Sequence, residues 1–316
     1  MSVLAVVGGL ALMAWASEHF VMGASRLALA LRVSPVLIGA VVIGFGTSAP
    51  EMVTSVLAVA AGSRDIALGN VIGSNAANVT LVLGIATLIR PATVASATLR
   101  REAPMSTLSV GLLTILLLAG VSRPEGIACL LALVVFMVLI VRGSRDGGEP
   151  IAHEVEELLG EGSPPVYRTS AEALRTGLGL AGTLGGAQLL VWGAVRIAEG
   201  IGVSQGFVGF TLVAVGTSLP ELVTAIQAAR KGETDLVVGN VLGSNVFNSL
   251  AVAGTVAVVS PGPLVDRGLA GPGVFMMAAV CAIAYLFMAT GGCITRREGA
   301  VLLAMWVMTT PLLVVL

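Results

Sequence analysis

Two short stretches carry the residues that could do chemistry. Gly46-Thr47-Ser48-Ala49-Pro50-Glu51 returns as Gly216-Thr217-Ser218-Leu219-Pro220-Glu221. In each, a threonine and a serine stand four and three residues before a glutamate, a spacing that puts hydroxyls and carboxylate on one helical face. A serine and an asparagine one turn apart follow each motif: Ser74 with Asn78, and Ser244 with Asn248. Every one of these side chains presents oxygen, and neither motif holds His or Cys. An oxygen-only set suits hard cations, calcium taking about six to eight such ligands, with sodium likewise hard. Zinc or copper would call for imidazole or thiolate. Two acids could also serve an intramembrane hydrolase, but the surrounding hydroxyl and amide oxygens fit ligands better than catalytic groups, and no enzyme activity is expected.

Proline adds a second device. Pro50 has no amide to donate and its ring crowds the carbonyl of Gly46. The helix should therefore break between Gly46 and Pro50, freeing carbonyls near Gly44 to face a cation. The same holds before Pro220, at Ala214–Gly216. Unwound backbone inside a membrane is tolerated only where protein or a water-filled cavity satisfies it.

The elements that must position these groups are membrane helices. Of the 316 residues 56% are hydrophobic and 11% charged, against about 25% charged in soluble domains. A net charge of −1 leaves no basic face for nucleic acid. Cys129, Cys281 and Cys293 are scattered, with no disulfide or metal spacing. No cofactor motif and no obligate protein partner is evident. Ten apolar segments follow one another at 3–30, 35–62, 66–89, 104–121, 125–142, 172–200, 205–230, 236–259, 272–291 and 298–315. The first has no Lys or Arg before Arg26, which predicts a transmembrane helix rather than a cleaved signal peptide. Residues 1–142 and 172–316 thus form two five-helix halves, joined by a Gly-, Pro- and Glu-rich linker at 143–171. Ile151, Val155, Leu158 and Leu159 fall on one face of a short amphipathic helix within that linker. With the N-terminus outside, thirteen basic residues face inward and four outward, so both termini are expected outside and the linker in the cytoplasm.

The halves are repeats. Aligned at an offset of 170, residues 46–78 and 216–248 are identical at 17 of 33 positions. The copies begin in the second and seventh segments, five apart, and so run in opposite directions. The expected fold is an all-α polytopic membrane protein of ten transmembrane helices in two inverted five-helix repeats with broken central helices. Transporters built this way hold their site near the midplane, between the repeats.

A carboxylate inside such a segment is costly and marks a functional site. Two ionised ones in low dielectric demand a cation between them, or a proton on one. Both options describe a cation or proton transporter. A pore lined by the same oxygens is the channel alternative, which broken inverted helices disfavour. Ser and Thr in membrane helices often bond their own backbone, so the pairing of the set carries the argument rather than any single hydroxyl. Asn70, Asn75, Asn240 and Asn245 are expected to bond between helices. Glu18, matched by Gln188 in the second half, is expected to snorkel, to pair with Arg26 or to flank an ion path.

The stretches GFGTSAPEMVTS…DIALGNVIGSNAAN and AVGTSLPELVTA…DLVVGNVLGSNVFN resemble the two α-repeats of the sodium/calcium exchanger family, prokaryotic type, within the cation/calcium antiporter superfamily. The resemblance extends to the ten-helix layout. It implies a secondary antiporter in the prokaryotic inner membrane, exchanging Na+ for Ca2+ by alternating access within the lipid bilayer. It implies Glu51 and Glu221 as central ligands, with further oxygens from Thr47, Ser48, Ser74, Thr217, Ser218 and Ser244 and from carbonyls near Gly44 and Ala214. Asn78 and Asn248 take the remaining central positions. Potassium-dependent relatives carry Asp where Asn248 stands, which lowers the expectation of K+ co-transport. Ca2+/H+ exchange is the nearest alternative, but proton-coupled relatives carry an acid after the Gly-Asn pair, where this chain has Gly69-Asn70-Val71. The resemblance further implies that the first and sixth helices slide across the rest, a motion suited to Gly23 and Gly193.

Overall fold

A computed structural model describes residues 1–30, 46–94, 96–144 and 168–315. The expectations for the start of the second segment, with Gly44, and for the amphipathic linker helix lie outside these residues. The described chain is almost wholly helical. Its elements are α1 (Ser2–Ala30), α2 (Ala49–Ala60), α3 (Arg64–Ile89), α4 (Ser96–Arg100), α5 (Glu102–Ala119), α6 (Arg123–Ser144), α7 (Thr169–Ile201), α8 (Gln205–Thr217), α9 (Leu219–Lys231), α10 (Thr234–Val259), α11 (Leu269–Gly291), α12 (Arg296–Thr309) and α13 (Leu312–Val315). Six helices are long and apolar enough to cross a membrane, or seven if α8 and α9 count as one bent span.

Burial separates centre from periphery. The most apolar windows of α3 and α10 are 78% and 83% buried, whereas that of α1 is 28% buried. A helix buried on all sides cannot be amphipathic in the usual sense. α3 and α10 accordingly mix apolar residues with Asn and Ser that find partners inside the protein. Leu108, Ile115, Leu131 and Val135 on α5 and α6 are instead exposed, as lipid-facing residues would be.

Close approach of α3 to α8 depends on glycine. A Cβ at Gly73 would collide with the Phe210 carbonyl and lie 2.6 Å from the Ala214 Cβ. Gly73 therefore lets the two backbones touch. Its counterpart Gly243 has open space among the described residues.

α1 and α7 pack along their lengths through a run of glycines. A Cβ on Gly9 would stand 2.7 Å from the Gly186 carbonyl, and one on Gly186 would stand 2.7 Å from the Gly9 carbonyl. Gly23 lies against Thr176, and Gly193 against Ser2 and Val6. Such small-residue contact replaces the hydrophobic drive that lipid cannot supply. Arg26 pairs with Glu172 (3.8 Å), which also meets Arg175 (3.7 Å). Glu18 is exposed.

The proline breaks appear where expected. α8 and α9 meet at 44° across Ser218, and α2 starts at Ala49 after a turn at Thr47 and Ser48. Ser48 and Ser218 share nearly the same backbone conformation, φ −90°, ψ 9° and φ −82°, ψ 7°. A second paired irregularity was not foreseeable: α3 and α10 each loosen into one π-helical stretch, Asn78–Val82 and Asn248–Val252. Such bulges recur at functional sites.

Adjacent glycines on α1 provide a test of the packing. Gly9→Val should destabilise the folded protein by about 1–3 kcal/mol through overpacking. Gly8→Val, whose Cβ meets nothing within 4 Å, should stay within about 0.5 kcal/mol of wild type. Thermal unfolding of the two variants in detergent measures the difference.

Candidate cation site

The two breaks bring the motifs of both halves together. Ser218 donates to Glu51 Oε1 (3.2 Å), and Ser48 donates to Glu221 Oε1 (3.4 Å). The pattern is reciprocal: each glutamate is held by the serine of the other copy. Both glutamates are fully buried, 1% and 0% exposed. Ser48 further contacts Ser244 Oγ (3.1 Å).

Asn70 ties the first half of this cluster. Its Nδ2 donates to the Glu51 carbonyl (3.3 Å) and to Ser55 (3.0 Å), while its Oδ1 accepts from Thr217 (3.1 Å) and Ser74 (3.4 Å). Thr47, only half-buried, reaches Asn240 Oδ1 at 3.5 Å. Lower in the bundle, Asn78 donates to Asn245 Oδ1 (3.1 Å), Asn245 donates to the Asn75 carbonyl (3.2 Å), and Asn75 donates to Ser249 (3.1 Å). The interhelical role expected of these asparagines is the one that Asn70, Asn75 and Asn245 have, whereas Asn240 makes only the 3.5 Å contact with Thr47, in the turn before α2.

The Ala214 carbonyl departs from expectation. The break does not release it, because it accepts both the Ser218 amide (3.0 Å) and the Thr217 hydroxyl (3.2 Å). The carbonyl denied its helical donor is that of Gly216, since Pro220 has no amide to offer. Gly44 lies outside the described residues.

The hydrogen bonds leave a defined set of oxygens over. Glu51 Oε2, Glu221 Oε2, Asn78 Oδ1 and Asn248 Oδ1 are buried and accept no hydrogen bond among the described residues. Buried polar atoms in native proteins nearly always have partners. With Asn75 Oδ1, which is also buried and unpartnered among the described residues, five oxygens of the two motifs are left over, two of them carboxylate, the ligand type that hard cations take. Among the described residues no group of three or more His, Cys, Asp or Glu side chains comes together, so a cation here would draw its remaining ligands from neutral oxygens.

Sequence spacing missed the hub role of Asn70, although its identity with Asn240 and its place one turn before Ser74 were signals. Ser55 and Ser249 left none, because Ala225 and Val79 stand at their repeat positions.

With this geometry in place, comparison with known proteins is direct. A sequence profile of the sodium/calcium exchanger protein family matches residues 1–142 and 173–315. The chain belongs to that family. It is 41% identical over 305 residues to CaxA of Alkalimonas amylolytica, covering 94% of each chain. It is 30% identical over 340 residues to the sodium/calcium exchanger MaX1 of Methanosarcina acetivorans, covering 95% of this chain and 94% of the relative. Among solved structures, the sodium-calcium exchanger NCX_Mj soaked with 2.5 mM Na+ and 0.1 mM Ca2+ superposes with a TM-score of 0.67 at 30% identity, covering 98% and 97% of the two chains. Its apolar helices and these relatives make the chain a membrane protein.

Asn70 and Asn240 separate hub from bystander. Asn70→Ala removes a partner from four buried groups and should cost about 2–3 kcal/mol. Asn240→Ala, which loses one long contact, should cost under about 1 kcal/mol. Melting curves of the purified variants give both values.

Proposed function

We propose that this chain is a secondary antiporter that exchanges Na+ for Ca2+ by alternating access, and not an enzyme. The observation that carries the reading is the reciprocal pair, Ser218 on Glu51 and Ser48 on Glu221, with one oxygen of each carboxylate left over. Glu51 and Glu221 would be the shared ligands. Ser48, Ser218, Ser244, Thr47, Thr217 and Ser74 would line the site, Asn78 and Asn248 would complete it, and backbone carbonyls at the two breaks, with Gly216 in place of Ala214, would add oxygens.

The physics of exchange follows from charge. Two carboxylates supply −2, which one Ca2+ or two Na+ neutralise. Left bare, two such groups out of water cost several kcal/mol each. The site is therefore stable when loaded by either ion and unstable when empty. Because both ions compete for Glu51 Oε2 and Glu221 Oε2, sodium occupancy drives calcium off. The names borne by MaX1 and NCX_Mj support this choice of ions.

The architecture we propose has ten transmembrane helices in inverted halves, 1–142 and 172–316, with both termini outside and the joint at 143–171 in the cytoplasm. The thirteen-to-four distribution of basic residues supports that orientation, and relatives such as the inner membrane protein YrbG of Escherichia coli support a prokaryotic inner membrane. α1 and α7 would move as one glycine-packed pair across the remainder.

Purified protein in proteoliposomes tests the reading. An outward Na+ gradient should drive Ca2+ uptake, and Glu51→Gln or Glu221→Gln should reduce it to the background of empty vesicles. Uptake indifferent to Na+ and driven by a pH gradient would replace sodium with protons as the coupling ion. Normal sodium-driven flux in both variants would remove the assigned roles.

A further inference from the structure

An amide can offer a cation its oxygen or turn its NH2 group toward it, and only the first binds. The orientation of Asn78 is fixed by a chain of hydrogen bonds that ends on an atom that cannot flip. The Asn75 carbonyl belongs to the backbone of α3 and can only accept. It takes Asn245 Nδ2 at 3.2 Å, and the Cys281 thiol on α11 lies beside both groups, 3.7 Å from Asn245 Nδ2 and 3.8 Å from the Asn75 carbonyl. With its NH2 so anchored, Asn245 must present Oδ1 on its other side, where Asn78 Nδ2 donates to it at 3.1 Å. Asn78 Oδ1 is thereby turned away from Asn245, buried and without a hydrogen-bond partner. Reversing Asn78 would lose a buried hydrogen bond and set two carbonyl oxygens against each other.

The other half does not repeat this. Asn248 is fully buried, yet neither its Oδ1 nor its Nδ2 has a partner among the described residues. The residue that would hold it by symmetry, Asn75, turns its Nδ2 to Ser249 (3.1 Å) and Met277 Sδ (3.6 Å), and its Oδ1 accepts no hydrogen bond from Asn248 or from any other described residue. Ser249 and Val79 occupy the same repeat position, so this diversion exists on one side only.

We infer that Asn245 is a positioning residue that locks Asn78 as a fixed oxygen ligand, a lock that Asn248 does not receive from any described residue, so that the two halves of the cation site are chemically unequal. The inference rests on the cation-exchange reading above. Asn245 acts only through Asn78 and touches no ion itself. Its loss should therefore alter ion affinity without changing the rate of the loaded carrier.

A double-mutant cycle on the full-length protein in proteoliposomes tests it, with half-saturation for Ca2+ and maximal sodium-driven flux read separately. Asn245→Ala should raise half-saturation roughly five- to tenfold and leave maximal flux within about twofold. Asn78→Ala should raise half-saturation by at least as much, and the half-saturation of the double variant should match that of Asn78→Ala alone, because coupled residues are non-additive. Additive effects, or an unchanged half-saturation in Asn245→Ala, would overturn the inference. Should Asn245→Ala fail to fold by size-exclusion chromatography, Asn245→Asp keeps an acceptor opposite Asn78 and should shift half-saturation less than Asn78→Ala does; an equal or larger shift would also overturn it. Glu221→Gln run alongside separates the two failures. If it abolishes flux while the cycle is additive, the exchange site stands and only the role of Asn245 falls.

Discussion

Two carboxylates buried from solvent, with no salt bridge to either among the described residues, are the constraint around which the molecule is arranged. An ionised acid in low dielectric is tolerated only with compensation, and the compensation visible in the described protein is partial. Each glutamate receives one hydroxyl, from the opposite copy of the motif, and keeps one oxygen unbonded. Neither glutamate takes its serine partner from its own half. The requirement for both explains why the chain carries the same 33-residue pattern twice and why the two copies meet at their helix breaks.

The rest of the fold makes that meeting possible. Gly73 brings α3 into backbone contact with α8, which places Asn70 within reach of both Glu51 and Thr217. Pro50 and Pro220 each stand in the first turn of a helix that follows a serine whose backbone (ψ 9° at Ser48, 7° at Ser218) has left the helical region. Asn78 and Asn248 stand where α3 and α10 loosen into π-helical turns. In the proposed mechanism these irregularities belong to the fixed framework, and the glycine-packed α1–α7 pair supplies the moving part.

Much of this was legible in the sequence, and the failures are instructive. Intramembrane acids, oxygen-only neighbours, the repeat and the proline breaks could be read from residue type and spacing, because each follows from local chemistry. The partner of each serine could not. The three-residue interval between Ser48 and Glu51 assumes a continuous helix, and at the break that assumption fails, so Ser48 turns to Glu221 instead. The Ala214 carbonyl was misjudged for a similar reason: the Ser218 amide still reaches it across the bend. The π-helical turns and the one-sided contacts of Ser249 and Met277 left no trace in spacing, because they arise where helices from distant segments press together.

The central claim is that Glu51 and Glu221 jointly hold the transported cation through the oxygens that no hydrogen bond engages. A structure of the protein soaked in Sr2+, with anomalous scattering to locate the ion, tests it most directly. The account predicts one peak between Glu51 Oε2 and Glu221 Oε2, within about 2.3–2.8 Å of each, lost when Na+ is raised. An anomalous peak elsewhere in the protein with none between these two carboxylates would contradict it.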